Sequence, residues 1–302
     1  MREFVIISDS SCNLNSEQLK EYGIADVLPM HFYMDDVEYD ASGDWTDMPA
    51  KEYYDRIREG VRLRSSQISS KAYEKVFRRY LEQGFDILSV SCSEALSSSV
   101  NESIAAAERL KKEFPDAVIR CVDSYNCCYS LAMVLIECSK LRAAGKTIDE
   151  ICDWIMAERL NFNEVGTVDK LTYLRNAGRV SASAAFFGGL FSVKPIVVYD
   201  ETGHNVAVEK VRGRKGSLDR VAEYVLKYGD VDKNRNICIA HADCLEDAEY
   251  VGEKIKELFP GKDLLLHYGY VEPGIGSSVG PGTIIVDFYG SPDIRKLNDS
   301  GK

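Results

Sequence analysis

The sequence predicts an α/β protein of two domains, and three observations carry that expectation. At 302 residues the chain exceeds the usual span of one hydrophobic core. Short Val- and Ile-rich runs, "FVIISDS" (4–10), "FDILSVSC" (85–92) and "AVIRCVD" (117–123), are each followed by a polar turn and then a longer helical pattern, as buried parallel strands are. Past about residue 162 the texture changes to two short helices, a hairpin and a second run of alternating helices and strands. The expected division is an N-terminal α/β/α domain, 1–162, with a mainly parallel sheet, and a C-terminal α/β domain, 163–302, with a mixed sheet.

In chain order, helices are expected over 15–22, 48–59, 70–83, 98–113, 126–144 and 147–160. The last opens on Thr147 with Glu150 three residues on, a capping box. Ser69 or Ser70 caps the third, and Ser65-Ser66-Gln67 reads as the loop before it. In the C-terminal half, short helices are expected at 169–176 and 182–191. "PIVVYD" and "NVAVEKV" then form an antiparallel hairpin through the turn Glu201-Thr202-Gly203-His204. Helices at 215–228 and 245–258, with strands near 236–241, 263–270 and 283–289, complete the unit.

Composition narrows the function. The balance of 37 basic to 48 acidic residues gives a formal net charge of −11, which repels nucleic acid and anionic membrane over most of the surface. Any basic site must be local. Met1 to Asp9 reads as a strand and not a signal segment, and no apolar run approaches membrane-spanning length, so the expected location is cytoplasmic, with no integral membrane segment. Nine cysteines are spaced neither as a disulfide framework nor as CxxC metal ligands, and read as reduced core thiols; no metal or cofactor is expected.

The expected strand ends present hydroxyls: Ser8, Ser10 and Ser11, then Ser93 and Ser97 to Ser99, then Ser124. Ligands of open parallel sheets bind beyond such ends. Ser97 to Ser99 open a helix, where free backbone N–H groups favour an anion, although a serine there is also the ordinary N-cap. Asp9-Ser10 and Asp123-Ser124 read as turn and cap residues. The segment 182–191 sets Ala182, Ala185, Gly189, Ala184 and Gly188 on helix faces without bulk, beside Phe186, Phe187, Leu190 and Phe191. Such faces serve close helix packing or leave a slot for an apolar ligand. An acyl tail of about 14 methylenes would gain about 11 kcal/mol gross on burial there. Lys210, Arg212, Arg214 and Lys215 around Gly213 form either a solvated turn or a phosphate or carboxylate contact. The glycine-rich run between Gly269 and Gly290 is neither a dinucleotide fingerprint nor a Walker loop.

Seven segments in order, "DSSCNL" (9–14), "RSSQIS" (64–69), "ALSSS" (95–99), "DSYNCC" (123–128), "LTYLRNAGRVSASAAFFGGLFSVKPIV" (171–197), "KVRGRK" (210–215) and "GSSVGPGTIIVDFYG" (276–290), resemble the DegV family over nearly the whole chain. The resemblance implies a two-domain protein that holds one long-chain fatty acid, such as palmitate, stearate or oleate, between its domains. It also implies a bacterial partner, a separate ATP-dependent fatty acid kinase subunit that makes acyl phosphate, which leaves this chain a non-catalytic binding subunit. Carried over, the family's Thr-Ser-Gln-Pro-Ser loop falls on Ser65-Ser66-Gln67-Ile68-Ser69, and its Leu-Ser-Gly-Thr turn on Leu96-Ser97-Ser98-Ser99. Ser65 and Ser97, with Ser66 and Ser98, then take the carboxylate, while Ala185, Phe186, Gly189 and Leu190 line the tunnel. The Gly-Gly-Arg turn becomes Ala177-Gly178-Arg179 and the basic turn Arg212-Gly213-Arg214, placing Arg179, Arg212 and Arg214 near the mouth or the kinase contact.

Three departures bear on this. Ile68 stands for the proline, Ser98 for the glycine after Ser97, and Ser278 for a histidine that many members carry; Ser278 is a candidate for the same partner or phosphate contact. With that histidine absent, a lipid carrier with no kinase partner is one alternative; a serine-dependent acyl hydrolase or transferase using Asp9 or Asp123 is the alternative of a different class, and a protein–protein adaptor is a third. His31, His204, His241 and His267 fall in no nucleophile–base motif, and no G-x-S-x-G elbow exists.

Overall fold

The structure, a computed structural model, describes residues 2–181 and 193–297. It is mixed α/β. Strands Asp26–Leu28, Phe4–Asp9, Asp86–Ser91 and Ile119–Asp123, in that spatial order, make an all-parallel first sheet. Alternation along the first strand divides its side chains between two layers: Val5 and Ile7 join a cluster with Tyr73, Phe77 and Leu110, whereas Ile6 meets the opposite layer. Helices Ser70–Glu82 and Ser99–Leu110 supply that first cluster. Ser69 caps the former by accepting from Ala72 N, and Thr147 and Glu150 form the expected box on helix Ile148–Glu158.

A three-stranded antiparallel sheet, Val37–Asp40, His31–Met34 and Leu63–Ser66, was not foreseen. Its hairpin turns on Asp35 and Asp36, both at positive φ (50° and 63°), the backbone that a two-residue turn of matching twist requires. Ser65 and Ser66, expected in a loop, end its third strand and pair with Phe32 and His31.

Among the described residues the second sheet has seven strands, ordered Leu265–Tyr270, Asn236–His241, Ile284–Tyr289, Phe162–Thr167, Val193–Tyr199, Asn205–Arg212, Val180–Ser181. Its central strand, Phe162–Thr167, is buried along its whole length, yet Asn163, Glu164 and Thr167 disguised it as polar sequence. The hairpin from Val193 to Arg212 is antiparallel as expected. Between the two sheets lies helix Cys128–Ala143, whose first eight residues are all buried. Leu131, Val134 and Leu135 share one core with Ile6, Leu88 and Val90 of the first sheet and Val197, Tyr199, Cys238 and Ile285 of the second.

The glycine-rich run forms helix Pro273–Val279, started by Pro at its first turn and by Glu272, whose carboxylate accepts from Gly274 N (2.8 Å) and Ile275 N (2.6 Å). Two buried tyrosines of helix Ala50–Arg58 tie it down: Tyr53 donates to Pro273 O at 2.6 Å and Tyr54 to Val271 O at 2.7 Å. A Cβ on Gly276 would lie 2.7 Å from the Tyr54 hydroxyl and 3.1 Å from the Tyr53 ring. Six of the nine cysteines are buried and all are free thiols.

Gly276→Ala should therefore cost about 1–3 kcal/mol in urea unfolding, because the tyrosine it strikes is already fixed by a hydrogen bond; an unchanged midpoint would refute the tight seat. Burial pushes the Glu272 carboxyl from 4.5 up to about 8. The folded state then holds a proton that the unfolded chain releases, so this contribution is full below pH 4.5 and is lost as pH rises through 8. The unfolding midpoint should fall between pH 5 and pH 8.5, less steeply in Glu272→Gln; equal slopes in the two proteins would rule Glu272 out as the source.

Candidate functional site

The longer connections at the carboxyl ends of the first sheet's strands converge on the start of helix Cys128–Ala143, and a cavity of about 650 Å³ opens there between the two sheets. Its rim carries Ser65, Ser66, Ser97, Ser98, Arg179 and Ser278. Four elements deliver them: the end of strand Leu63–Ser66, the turn before helix Ser99–Leu110, the turn after helix Thr172–Ala177, and helix Pro273–Val279. A second hollow of about 770 Å³ shares Ser65, Arg179 and Ser278 with the first, so these residues stand at an open mouth. Ser65 is exposed and Ser97 half-buried, whereas Cys92, Cys127, Glu164 and Tyr199 on the inner wall are buried.

The turn bearing Ser97 is fixed by its own backbone. Leu96 N and Ser97 N both donate to Ser93 O at 3.0 Å, and Ser93 N reaches Asn126 O at 2.9 Å. Ser98 is the N-cap of the helix but makes no side-chain cap bond; its φ of −73° is one that any residue adopts, so the lost glycine brings no strain. Ser97 Oγ instead sits 2.9 Å from Ser99 Oγ and accepts from Ser99 N at 3.4 Å. Its hydroxyl thus belongs both to the helix start and to the cavity. Arg179 follows Gly178, the left-handed end (φ 68°) of helix Thr172–Ala177, and donates to Ala177 O at 2.6 Å and Leu96 O at 3.3 Å. It braces the serine turn.

Other expected residues stand elsewhere. Arg212 is exposed at its strand end and Arg214 pairs with Asp247 at 2.7 Å; neither lines the cavity. Ile68, in place of the proline, is buried in the first sheet's outer core. Ala185, Phe186, Gly189 and Leu190 lie outside the described residues. Asp9 is a cap, accepting from Ser11 N and Oγ and from Cys92 N, with its carboxyl pushed up by burial; Asp123 takes Tyr125 N and Glu94 N.

Sequence reasoning missed the inner wall. Glu164 accepts from the Tyr199 hydroxyl at 2.7 Å, and burial pushes its carboxyl up to about 7, against the opposing pull of that hydrogen bond and of Arg295. Arg295 is 1% exposed, bonded to Asn126 Oδ1 and Phe162 O at 2.6 Å each and to Tyr125, Asp200 and Asn163, with burial lowering it to about 10. A lone carboxylate inside a strand-like run was the available signal for Glu164. None existed for Arg295, which sits in a short polar segment near the end of the sequence.

Hydroxyl donors beside a helix start can hold an anion without a cation. Among the described residues no histidine lines the cavity, so no serine there has an imidazole base; no group of three His, Cys, Asp or Glu is placed to hold a metal, and no helix is long and apolar enough to cross a membrane.

The comparisons agree with this architecture. A family model described as "Uncharacterised protein, DegV family" matches residues 3–290. A DegV domain-containing protein of Clostridium perfringens is 36% identical over 293 residues, covering 96% of this chain and 98% of that one. A protein of Eubacterium ventriosum described as stearic acid-binding superposes with a TM-score of 0.83 at 22% identity, covering 96% and 99% of the two chains. DegV of Bacillus subtilis, described as a fatty acid binding protein, does so with a TM-score of 0.81 at 20% identity over 96% and 100%. With matching motifs, fold and near-complete coverage, the chain belongs to the DegV family.

Proposed function

We propose that this protein binds one long-chain fatty acid, its carboxylate at Ser65 and Ser97 with Ser66 and Ser98 beside them, and its chain running inward between the two sheets. The observation that carries the reading is a cavity that joins a rim of serine hydroxyls to a buried interior. Its volume of about 650 Å³ is in the range of small-molecule sites. Relatives of the same fold described as binding fatty acids support it. In this reading the chain divides into domains 1–162 and 163–302 at the start of strand Phe162–Thr167, with the ligand between them and Ala185, Phe186, Gly189 and Leu190 along its tail.

The protein works as a carrier without chemistry of its own, presenting the carboxylate to a separate ATP-dependent kinase subunit in the cytoplasm. Arg179 and Ser278 at the mouth form the contact for that partner or its phosphate, with Arg212 and Arg214 as a further contact outside the cavity. An exposed carboxylate end is what such a transfer requires. The lack of an imidazole among the cavity's described residues weighs against the hydrolase alternative.

Mass spectrometry of an organic extract from protein purified without added lipid should show a stoichiometric long-chain fatty acid. An empty extract, repeated after palmitate and oleate are supplied, would overturn the proposal. Ser65→Ala and Ser97→Ala should each weaken binding by about 1–3 kcal/mol, the loss of one charge-assisted hydrogen bond; unchanged titrations of both would remove the carboxylate assignment.

A further inference from the structure

The inner wall of the cavity is largely apolar, and Met30, Leu174, Val279 and Ile285 suit an acyl chain. One carboxyl stands among them: Glu164 is 7% exposed and lines the same space. Glu94, the other carboxylate in the lining, is exposed at the rim and accepts from Asn101 at 2.9 Å.

The surroundings of Glu164 leave its charge poorly supported. Tyr199, set beside it by the pairing of Val198 with Val165, is its one hydrogen-bond donor among the described residues, at 2.7 Å. Its register partner on the other side is Asp287, a second buried carboxyl. Arg295 is the nearby cation, yet all five of its N–H groups are engaged by Asn126, Asn163 and the carbonyls of Tyr125, Phe162 and Asp200. A carboxylate with one donor and no ion pair is costly to bury, and hydrocarbon laid over it adds to the cost by removing the solvent that remains. The protonated carboxyl carries no such penalty.

Burial holds the Glu164 carboxyl at about 7 against the opposing pull of Tyr199 and Arg295. The other groups that face it keep one state through the neutral range. Burial pushes Asp287, Tyr199 and Cys128 well up, a hydrogen bond with Cys92 and burial do the same to Cys127, and Arg295, lowered to about 10, stays cationic. An acyl chain covering Glu164 raises its carboxyl further, so the occupied protein keeps a proton that the free protein releases. The affinity this contributes is full below about pH 6 and is lost as pH rises through 7.

We propose that Glu164 couples fatty-acid binding to proton uptake, the acyl chain seating on the neutral carboxyl and binding weakening as that carboxyl ionises. The inference rests on the fatty-acid reading above and adds the regulation of that site.

The test is calorimetric titration of the delipidated full-length protein with stearate between about pH 6 and pH 8.5, at each pH in two buffers of different ionisation enthalpy, which counts the protons taken up on binding. Up to one proton should enter per stearate near pH 8, and affinity should fall about tenfold across the range. In Glu164→Gln, which keeps an acceptor for the Tyr199 hydroxyl, that proton should be missing and the profile should flatten accordingly. In Tyr199→Phe, which removes a donor that favours the charged form, the fall should move to higher pH. Stearate's own ionisation is the same in all three proteins, so the differences belong to the wall. Equal proton uptake and parallel profiles in the unaltered protein and Glu164→Gln would overturn the inference and leave the fatty-acid reading standing. Binding in neither protein at any pH would remove both.

Discussion

Helix Cys128–Ala143 is the constraint on which the rest of the molecule depends. Its first eight residues are buried because sheets cover it from both sides, and the inner faces of both sheets share one core with it. Over those eight residues the helix has no solvent face, so their hydrophobic stabilisation is available only when both layers close on it. The two halves are therefore coupled through a shared core and not merely docked. The site follows from the same fact: the sheets stay apart by the thickness of the helix, and where the helix begins, at Cys127 and Cys128, the gap between them has no helix to fill it. The cavity is the space in front of that helix start.

That gap has to be walled by groups that stay in place, and buried hydrogen bonds do this. Asn126 donates to Ser124 O and Arg159 O and accepts from Arg295, which in turn holds the carbonyls of Tyr125, Phe162 and Asp200. One guanidinium thus joins the turn before the shared helix to strand Phe162–Thr167 and to the turn that follows strand Val193–Tyr199. Its five donors explain why arginine and not lysine occupies the position. On the other side of the cavity, Asn13 donates to Tyr270 O and accepts from Glu272 N, while Tyr53 and Tyr54 hold the backbone of Pro273 and Val271. Both clamps cross between the two halves, and both lean on polar atoms whose misplacement in a low-dielectric interior is costly.

How much of this was legible follows from what each residue's job looks like in a linear pattern. The parallel strands were readable because burial on both faces demands unbroken Val and Ile, as in Phe4–Asp9 and Asp86–Ser91. The capping box at Thr147 and Glu150 was readable because it is local. Strand Phe162–Thr167 was hidden, since its Asn163 and Glu164 are satisfied by Arg295 and Tyr199, residues more than thirty positions away. Helix Pro273–Val279 was hidden by its glycines, which serve close approach to Tyr53, Tyr54 and Met30 rather than a loop. The serines of the rim were found as residue types at strand ends, but whether Ser65 and Ser97 face one space depends on a small sheet with no apolar pattern. That convergence is a tertiary fact.

The chemistry of the rim reflects the charge of the whole. In a chain of net charge −11, a cationic pocket for a carboxylate would have to be assembled against the surrounding field, and the structure uses Arg179 differently. Its guanidinium binds the carbonyls of Ala177 and Leu96, so its charge stands one residue from Ser97 while its hydrogen bonds hold the turn. In the proposed binding mode the anion would meet hydroxyls and the start of a twelve-residue helix, each worth little alone and favourable together. Such a seat orients a carboxylate without neutralising it in a fixed ion pair. Under the proposed function, a headgroup held in that way would keep its oxygens reactive and could be given up again, while a buried acyl chain, through its much larger apolar area, would supply the affinity.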